Sequence, residues 1–240
     1  MPELTLAICT YRRLEPLRTT LQSLGYALHH APGVKVEVLV VDNAARQKLA
    51  NIPHAQAEAE NPAIRDMVMG FAEVLPGLRY EVEAEAGTSF ARNHAIDSAR
   101  HPIVLFTDDD VSFDPQWLAS MHKAIEAHPE CAFWGGRVEP VAPPQVMFPP
   151  TWFDPERCPM LNDTIVQYRP GTQPRYWELG KDAPFYTANL ALRVEAVRKA
   201  GMFDVNVGHR GAVRMGMEDS LMVLAIARQG ARAGMQPMRW

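Results

Sequence analysis

Three consecutive carboxylates, Asp108, Asp109 and Asp110, follow the apolar residues 103–106. Adjacent anions repel one another unless solvent or a cation takes up their charge. Divalent cations such as Mg²⁺ prefer carboxylate oxygens as ligands. Side chains alternate on an extended backbone, so we expect Asp108 and Asp110 on one side and Asp109 on the other. The run therefore indicates either a solvated turn or a divalent metal site.

Other polar residues have ordinary structural explanations when each is taken alone. Asp42 and Asn43 end an apolar segment, and both are common turn residues. Glu218 and Asp219 open a segment with helical spacing, where the helix dipole favours acids. Arg92 lies in the first turn of another candidate helix, near backbone N–H groups that suit an anion. An exposed arginine on a solvated face explains that position equally well.

Strands and helices alternate around these residues. Apolar residues at 4–8, 36–41 and 103–106 predict strands. The segment between the first two has one apolar helical face, formed by Leu14, Leu17, Leu21, Leu24 and Leu28. Strand, helix and strand in succession predict a βαβ unit with a parallel sheet. The carboxyl ends of such strands meet at one edge, where open α/β sheets bind their ligands.

The remaining sequence predicts more elements of the same α/β class. Helices are predicted at about 64–75, 88–99, 115–127, 194–200 and 218–229, and strands at about 79–83, 132–134 and 186–192. The alanine-rich residues 44–63 predict one more helical piece. Residues 139–184 are rich in proline and aromatic residues, which excludes long helices and central strands. We expect this segment, which includes Trp152 and Phe153, to be an irregular binding excursion over the sheet edge.

The composition is that of a soluble globular protein. The chain has 240 residues, of which 47% are apolar and 22% charged, and this suits one large α/β domain. A formal net charge of −4 gives no general attraction to nucleic acid. Cys9, Cys131 and Cys158 are odd in number and share no metal-type spacing, which favours a reducing compartment. Neither a secretory signal nor a membrane-length apolar run is found, so a cytoplasmic location is predicted.

Several short motifs stand in one order along the chain. They are Cys-Thr-Tyr-Arg-Arg at 9–13, Val-Val-Asp-Asn at 40–43, Gly-Thr-Ser-Phe-Ala-Arg-Asn at 87–93, Leu-Phe-Thr-Asp-Asp-Asp-Val at 105–111, Gly-Gly-Arg at 135–137, Thr-Ala-Asn-Leu-Ala-Leu-Arg at 187–193, Gly-Met-Phe-Asp at 201–204 and Glu-Asp at 218–219. Together they resemble the family 2 glycosyltransferases, which have the GT-A fold. The resemblance implies a single domain over residues 1–240, with a nucleotide-binding half at 1–111 and an acceptor-binding half at 112–240.

The resemblance also implies a donor substrate, a nucleotide-diphosphate sugar. Its binding site would be formed by Cys9, Thr10, Tyr11, Arg13, Asp42, Arg92, Asp108 and Asp109. Asp108 and Asp110 would be the DxD pair that holds Mg²⁺ or Mn²⁺ on the diphosphate. A hard cation on oxygen ligands offsets the negative charge that grows on the leaving nucleoside diphosphate.

The acidic pair near the end of the chain gains a role from the same resemblance. Asp219 would be the general base that takes the proton of the acceptor hydroxyl, and Glu218 would orient the acceptor or tune that base. The reaction would be one displacement that inverts the anomeric centre. The acceptor would be a glycan, a lipid-linked molecule or a small molecule, with no nucleic acid involved; peripheral contact with a membrane is compatible with this class.

Two departures from the family pattern and two other functions stay open. The tail after Gly230 is short and has no histidine, so the metal would have fewer protein ligands, or His209 would substitute, or the chain would be truncated and impaired. Thr107 stands where an apolar residue is more usual. A sugar-phosphate nucleotidyltransferase would need a glycine-rich loop after the first strand, and residues 9–13 contain no glycine. A glycan- or nucleotide-binding module without catalysis is the other alternative.

Overall fold

The computed structural model describes residues 3–43, 61–141, 168–169, 174–210 and 213–236. The helical piece predicted within 44–63 lies outside the described residues except for 61–63, which form the start of the helix that follows. Cys158, Trp152, Phe153 and most of the predicted excursion at 139–184 also lie outside the described residues.

The described chain alternates strands and helices. The strands are β1 (Leu4–Thr10), β2 (Val36–Asp42), β3 (Arg79–Val82), β4 (Ile103–Thr107), β5 (Cys131–Gly136), β6 (Arg175–Trp177), β7 (Leu190–Arg193), β8 (Gly208–Arg210), β9 (Val213–Met215) and β10 (Arg232–Gln236). The helices are α1 (Leu14–His29), α2 (Pro62–Met69), α3 (Thr88–Ser98), α4 (Trp117–Ala127), α5 (Val194–Lys199) and α6 (Glu218–Ala227). A single 3-10 turn, Thr187–Asn189, leads directly into β7.

Eight of these strands form one mixed sheet in the order β3-β2-β1-β4-β7-β5-β10-β6. The first four strands of that order are parallel. β7 runs antiparallel between β4 and β5, and β10 lies parallel to β5 with β6 antiparallel at the edge. β8 and β9 form a separate hairpin. The predicted α/β class with a mostly parallel central sheet is confirmed.

Apolar side chains on the two faces of this sheet explain why helices cover both of them. One core cluster joins the strands to α1, α2 and α4, and the other joins them to α3, α5 and α6. Along β1, Leu4, Leu6 and Ile8 belong to the first cluster and Ala7 to the second. This alternation is the period of two that an extended strand imposes. Strands buried on both faces need nearly continuous apolar sequence, as β1, β2 and β4 have.

Two helices are shorter than the sequence predicts, one from its apolar spacing and the other from Asp114-Pro115 as a helix start. α2 ends at Met69 with Gly70 as its C-terminal cap, whereas the pattern predicts helix as far as Leu75. α4 begins at Trp117 because Asp114 forms a turn first, in which its carbonyl accepts a hydrogen bond from the Trp117 amide at 2.9 Å. Boundaries of this kind depend on local turns, which apolar spacing does not encode.

The tail after α6 contributes a strand to the sheet, which the sequence pattern does not predict. β10 is inserted between β5 and β6, and Gly234 lies against the indole of Trp134. A Cβ at Gly234 would lie 3.2 Å from Trp134 Cδ1, so this close approach favours glycine. Low β-propensity at such a residue hides the strand from a propensity argument. Within the described residues, no helix is long and apolar enough to cross a membrane.

Candidate active site

The strand ends assemble distant residues at one edge of the sheet. Thr10 at the end of β1 is paired with Asp42 at the end of β2, and Ile8 is paired with Thr107 at the end of β4. β7 is antiparallel to β4, with Phe106 opposite Leu190. The residues that precede β7 therefore arrive at the edge where β4 ends. Parallel strands supply their last residues to this edge, and β7 supplies its first.

The three carboxylates do not follow strand alternation, because β4 ends at Thr107 and Asp109 and Asp110 lie in a turn. Asp109 is buried and accepts hydrogen bonds from Thr10 Oγ1 at 2.6 Å and Arg13 Nη1 at 2.9 Å. The other guanidinium nitrogen, Nη2, donates to Asp110 Oδ2 at 2.7 Å. Asp109 and Asp110 thus share Arg13, whereas alternation predicts that Asp108 and Asp110 share a side.

Asp108 receives less stabilisation from the described residues than Asp109 and Asp110 do. Among the described residues, no side chain or amide donates a hydrogen bond to it, and it is partly accessible to solvent. Burial raises the pKa of Asp108 to about 6; Arg92 opposes that shift, and the charges of Asp110, Asp109 and Asp219 add to it. A cation at this carboxylate would relieve the repulsion and the desolvation together.

At the end of β2, Asp42 is buried and accepts a hydrogen bond from the Tyr80 hydroxyl at 2.6 Å. The next residue, Asn43, fixes the loop before α3. Its side-chain nitrogen Nδ2 donates to the carbonyl of Glu85 at 2.7 Å, and its side-chain oxygen Oδ1 accepts from the backbone amide of Gly87 at 2.9 Å. Asn43 therefore sets where α3 begins.

The residues that follow β1 differ in exposure. Cys9 is largely surrounded by protein, and burial raises the pKa of its thiol to about 12, so the thiol is neutral near pH 7. The Tyr11 side chain is 42% exposed, and the Arg12 guanidinium lies 5.2 Å from its ring centroid. Arg12 adopts a φ of 55°, in the left-handed region. An exposed ring at the sheet edge is compatible with stacking on a nucleobase, and the donor contacts of Cys9 and Tyr11 stay predictions.

Arg92 has two protein partners, and this arrangement was not foreseen in the sequence. Its Nη1 lies 2.6 Å from Glu218 Oε1, and its Nη2 donates to Thr187 Oγ1 at 2.5 Å. Its guanidinium carbon is 5.8 Å from the centroid of the Phe203 ring. Both hydrogen-bond partners of Arg92 are protein groups. The predicted contact of Arg92 with the donor base or phosphates therefore stays a prediction.

The two acids at the start of α6 have different surroundings. Glu218 is buried against Arg92, and its Oε2 has no hydrogen-bond partner among the described residues. Asp219 is partly exposed; its Oδ2 accepts from the Thr187 amide at 3.2 Å and its Oδ1 from the Ser220 amide at 2.8 Å. Of the pair, Asp219 is the carboxylate that a ligand can reach.

Comparison with known families identifies the class of this site. A family described as Glycosyl transferase family 2 matches residues 5–201. The chain belongs to glycosyltransferase family 2. The predicted membership, and with it the assignment to an enzyme class, is confirmed.

Individual proteins are also similar to this family 2 chain. It is 26% identical over 246 residues to the succinoglycan biosynthesis protein ExoM of Rhizobium meliloti (strain 1021), covering 100% of this chain and 67% of that protein. The crystal structure of S. aureus TarS matches with a TM-score of 0.63 at 15% identity, over 98% of this chain and 35% of TarS. The mannosyltransferase PcManGT from Pyrobaculum calidifontis, in complex with GDP-Man and Mn²⁺, matches with a TM-score of 0.61 at 21% identity, over 98% of this chain and 55% of that one.

The chain thus spans about one third to two thirds of the length of these relatives. The two solved structures, at such low identity, show a shared fold. They confirm the GT-A architecture that the family resemblance implies.

The acidic turn of this family 2 chain suits a metal ion shared with a substrate. Within the described part of the chain, no group of three or more histidine, cysteine, aspartate or glutamate side chains could hold a metal by itself. Mg²⁺ is commonly held by one or two carboxylates together with substrate phosphates and water. Asp108, with no hydrogen-bond donor, and Asp110, bound through one oxygen, fit that donor set. The side chain of His209, the predicted substitute ligand, lies outside the described residues.

The hydrogen-bond partners of the predicted site residues could not be identified from the sequence. Thr187 belongs to a motif of the family, but its contact with Asp219 and Arg92 has no sequence signal of its own. Tyr80 lies in a short strand beside β2, and parallel pairing of those strands would have been needed to find its contact with Asp42.

Proposed function

We propose that this chain transfers a sugar from a nucleotide-diphosphate sugar to an acceptor hydroxyl, with inversion at the anomeric carbon. One observation carries the proposal: Asp219, an accessible carboxylate held by two backbone amides, is bonded to the turn that precedes β7, and β7 pairs with β4, the strand that Asp108 follows. A candidate base and a candidate metal ligand thus lie at the same edge of the sheet. We therefore propose that residues 1–111 form the nucleotide-binding half and residues 112–240 the acceptor-binding half of one domain.

The donor is proposed to lie along the ends of β1, β2 and β4. Asp108 and Asp110 would hold Mg²⁺ or Mn²⁺, which would neutralise the charge that develops on the departing diphosphate. Asp109 is held by Thr10 and Arg13, so its role is to fix the turn that presents its two neighbours. PcManGT, which binds GDP-Man and Mn²⁺, supports a donor and metal of this kind for the shared fold.

The acceptor is proposed to approach from the side of α6. A sugar hydroxyl is a weak nucleophile, and a carboxylate within hydrogen-bond reach accelerates its attack by about 10²–10⁴. The two amides that bind Asp219 orient its carboxylate. A base on the opposite face of the sugar from the leaving diphosphate requires a single displacement, and that geometry inverts the anomeric centre.

Acceptor and location are the broadest parts of the proposal. The acceptor is a glycan, a lipid-linked molecule or a small molecule with a free hydroxyl, and the name of ExoM supports polysaccharide synthesis as the setting. We place the reaction in the cytoplasm. The thiols of Cys9 and Cys131 are free, which suits a reducing compartment.

Release of nucleoside diphosphate from a panel of UDP- and GDP-sugars, with Mn²⁺ and with water as acceptor, tests the proposal. The protein should turn over at least one donor, and Asp219→Asn should lose about 10²–10⁴ of that rate. Asp219→Asn should keep Mn²⁺-dependent donor binding by calorimetry, whereas Asp110→Asn should lose it. Asp97→Asn, at an exposed carboxylate on α3, is the control for removal of a charge. Full activity of Asp219→Asn would contradict the proposed base, and metal-independent donor binding would contradict the proposed metal site.

A further inference from the structure

Arg92 forms hydrogen bonds with two residues that adjoin the proposed base, Asp219. Its Nη1 binds Glu218, the residue directly before Asp219, at 2.6 Å. Its Nη2 binds the hydroxyl of Thr187 at 2.5 Å, and the Thr187 amide donates to Asp219 Oδ2 at 3.2 Å. We infer that Arg92 is a positioning residue for Asp219 and acts through Thr187. The inference rests on the proposed function, because it assumes that Asp219 is the base.

The chemistry of the arginine suits this task. A guanidinium is planar and rigid, so two bonds from its two terminal nitrogens fix the directions of both partners. Arg92 and Glu218 are 6% and 5% exposed, and shifting a buried ion pair leaves charges without partners. Arg92 is therefore firmly bonded to α6 through Glu218 and to the 3-10 turn Thr187–Asn189 through Thr187.

A second pair of contacts fixes Arg92 itself. The neighbouring Asn93 donates to the Phe203 carbonyl at 2.9 Å and accepts from the Phe203 amide at 2.8 Å. The Phe203 ring lies 5.8 Å from the guanidinium carbon of Arg92. α3 is thereby attached to the chain on the acceptor side, and the arginine has little freedom to move toward a ligand.

The positioning of Asp219 depends on the hydrogen bond that it accepts from the Thr187 amide. Its 3.2 Å length is at the long end of the range for N–H···O hydrogen bonds. A small shift of Thr187 would break it. The hydrogen bond that Arg92 donates to the Thr187 hydroxyl opposes such a shift at this residue. Asn189 holds the other end of the turn through Trp117 and Arg137. Catalytic rates fall steeply when a reacting group moves by about 1 Å.

A pair of Thr187 variants tests the inference. Thr187→Val removes the hydroxyl with little change of shape, and Thr187→Ser retains the hydroxyl as a matched control. With a donor that the native protein hydrolyses and with Mn²⁺, Thr187→Val should lower kcat roughly tenfold to a hundredfold. The KM for the donor should stay within about twofold, because the proposed donor ligands lie at the ends of β1, β2 and β4 and not in this turn. Thr187→Ser should restore most of kcat.

Urea unfolding first establishes that each variant is folded, and Thr187→Ala replaces Thr187→Val if the latter is not. Native kcat in a folded Thr187→Val protein, together with an impaired Asp219→Asn protein, would overturn the inference and leave the proposed function intact. A change confined to KM would assign Thr187 to donor binding and would also overturn it. Failure of the native protein to hydrolyse any donor of the panel would instead overturn the proposed function, on which the inference rests.

Discussion

Replacing Arg92 by methionine would leave the buried carboxylate of Glu218 without its cation. Removal of one partner from a buried ion pair typically costs about 3–5 kcal/mol, because the remaining charge stays desolvated. The exposed fractions here, 6% for Arg92 and 5% for Glu218, put this pair in that class. One oxygen of Glu218 already has no hydrogen-bond partner among the described residues, so little remains to compensate for the loss.

That cost is large for a domain of this size. Total stabilities of about 5–15 kcal/mol are typical, so Arg92→Met would remove a substantial part. At about 2–4 °C per kcal/mol, the melting temperature should fall by roughly 6–20 °C.

A double-mutant cycle measures the interaction directly. Urea unfolding of Arg92→Met, Glu218→Gln and the double variant should show that the double variant loses less than the two single losses combined, by roughly 1–3 kcal/mol. Arg198→Met is the matched control, because Arg198 forms an exposed pair with Asp97 at 3.5 Å. Exposed pairs contribute under about 1 kcal/mol.

Two results would refute this reasoning. One is a loss for Arg92→Met no larger than that for Arg198→Met. The other is strict additivity in the cycle, which would mean that each residue is stabilised by groups other than its partner.

Two further predictions concern the sheet. Gly135→Ala should cost about 1–3 kcal/mol, because the new Cβ would lie 1.8 Å from Cδ1 of the buried Phe185 ring; Gly33→Ala, with no atom within 4 Å, should not, and urea unfolding of both compares them. Burial alone would raise the pKa of Glu37, but hydrogen bonds from Thr5, from a backbone amide and from Arg79 outweigh it, and the net pKa is lowered below the ordinary value of 4.5. The stability that Glu37 contributes is therefore complete above that pH and lost as the pH falls below it, so melting temperatures between about pH 3 and 6 should fall less steeply for Glu37→Gln; equal slopes would contradict this.

The fold was largely predictable because its central strands carry their pattern locally. Continuous apolar residues identify β1, β2 and β4, and leucines at helical spacing identify α1. β10 was not predictable in this way, because its residues become a strand only through pairing with β5 and contact with Trp134. Its signal lies in another part of the chain.

The candidate site was likewise predictable in part. The residue types of Asp108, Asp110 and Asp219 point to their chemistry, and their placement at the ends of predicted elements brings them to one edge. The ion pair between Glu218 and Arg92 could not be predicted from the sequence, because an acid at a helix start has an ordinary explanation in the helix dipole. The ion pair between Arg92 of α3 and Glu218 of α6 leaves Asp219 as the acid that faces solvent.

The antiparallel insertion of β7 beside β4 has a consequence for folding kinetics. Arg92 and Glu218 are 126 positions apart, and Arg92 and Thr187 are 95 apart. Contacts of such long sequence separation form slowly, because chain entropy is lost before the contact stabilises anything. A chain folded only as far as β4 would have the proposed donor strands but neither the Thr187 amide nor the Asp219 carboxylate. The candidate site is therefore complete only once the sheet extends across β7 and α6 is in place.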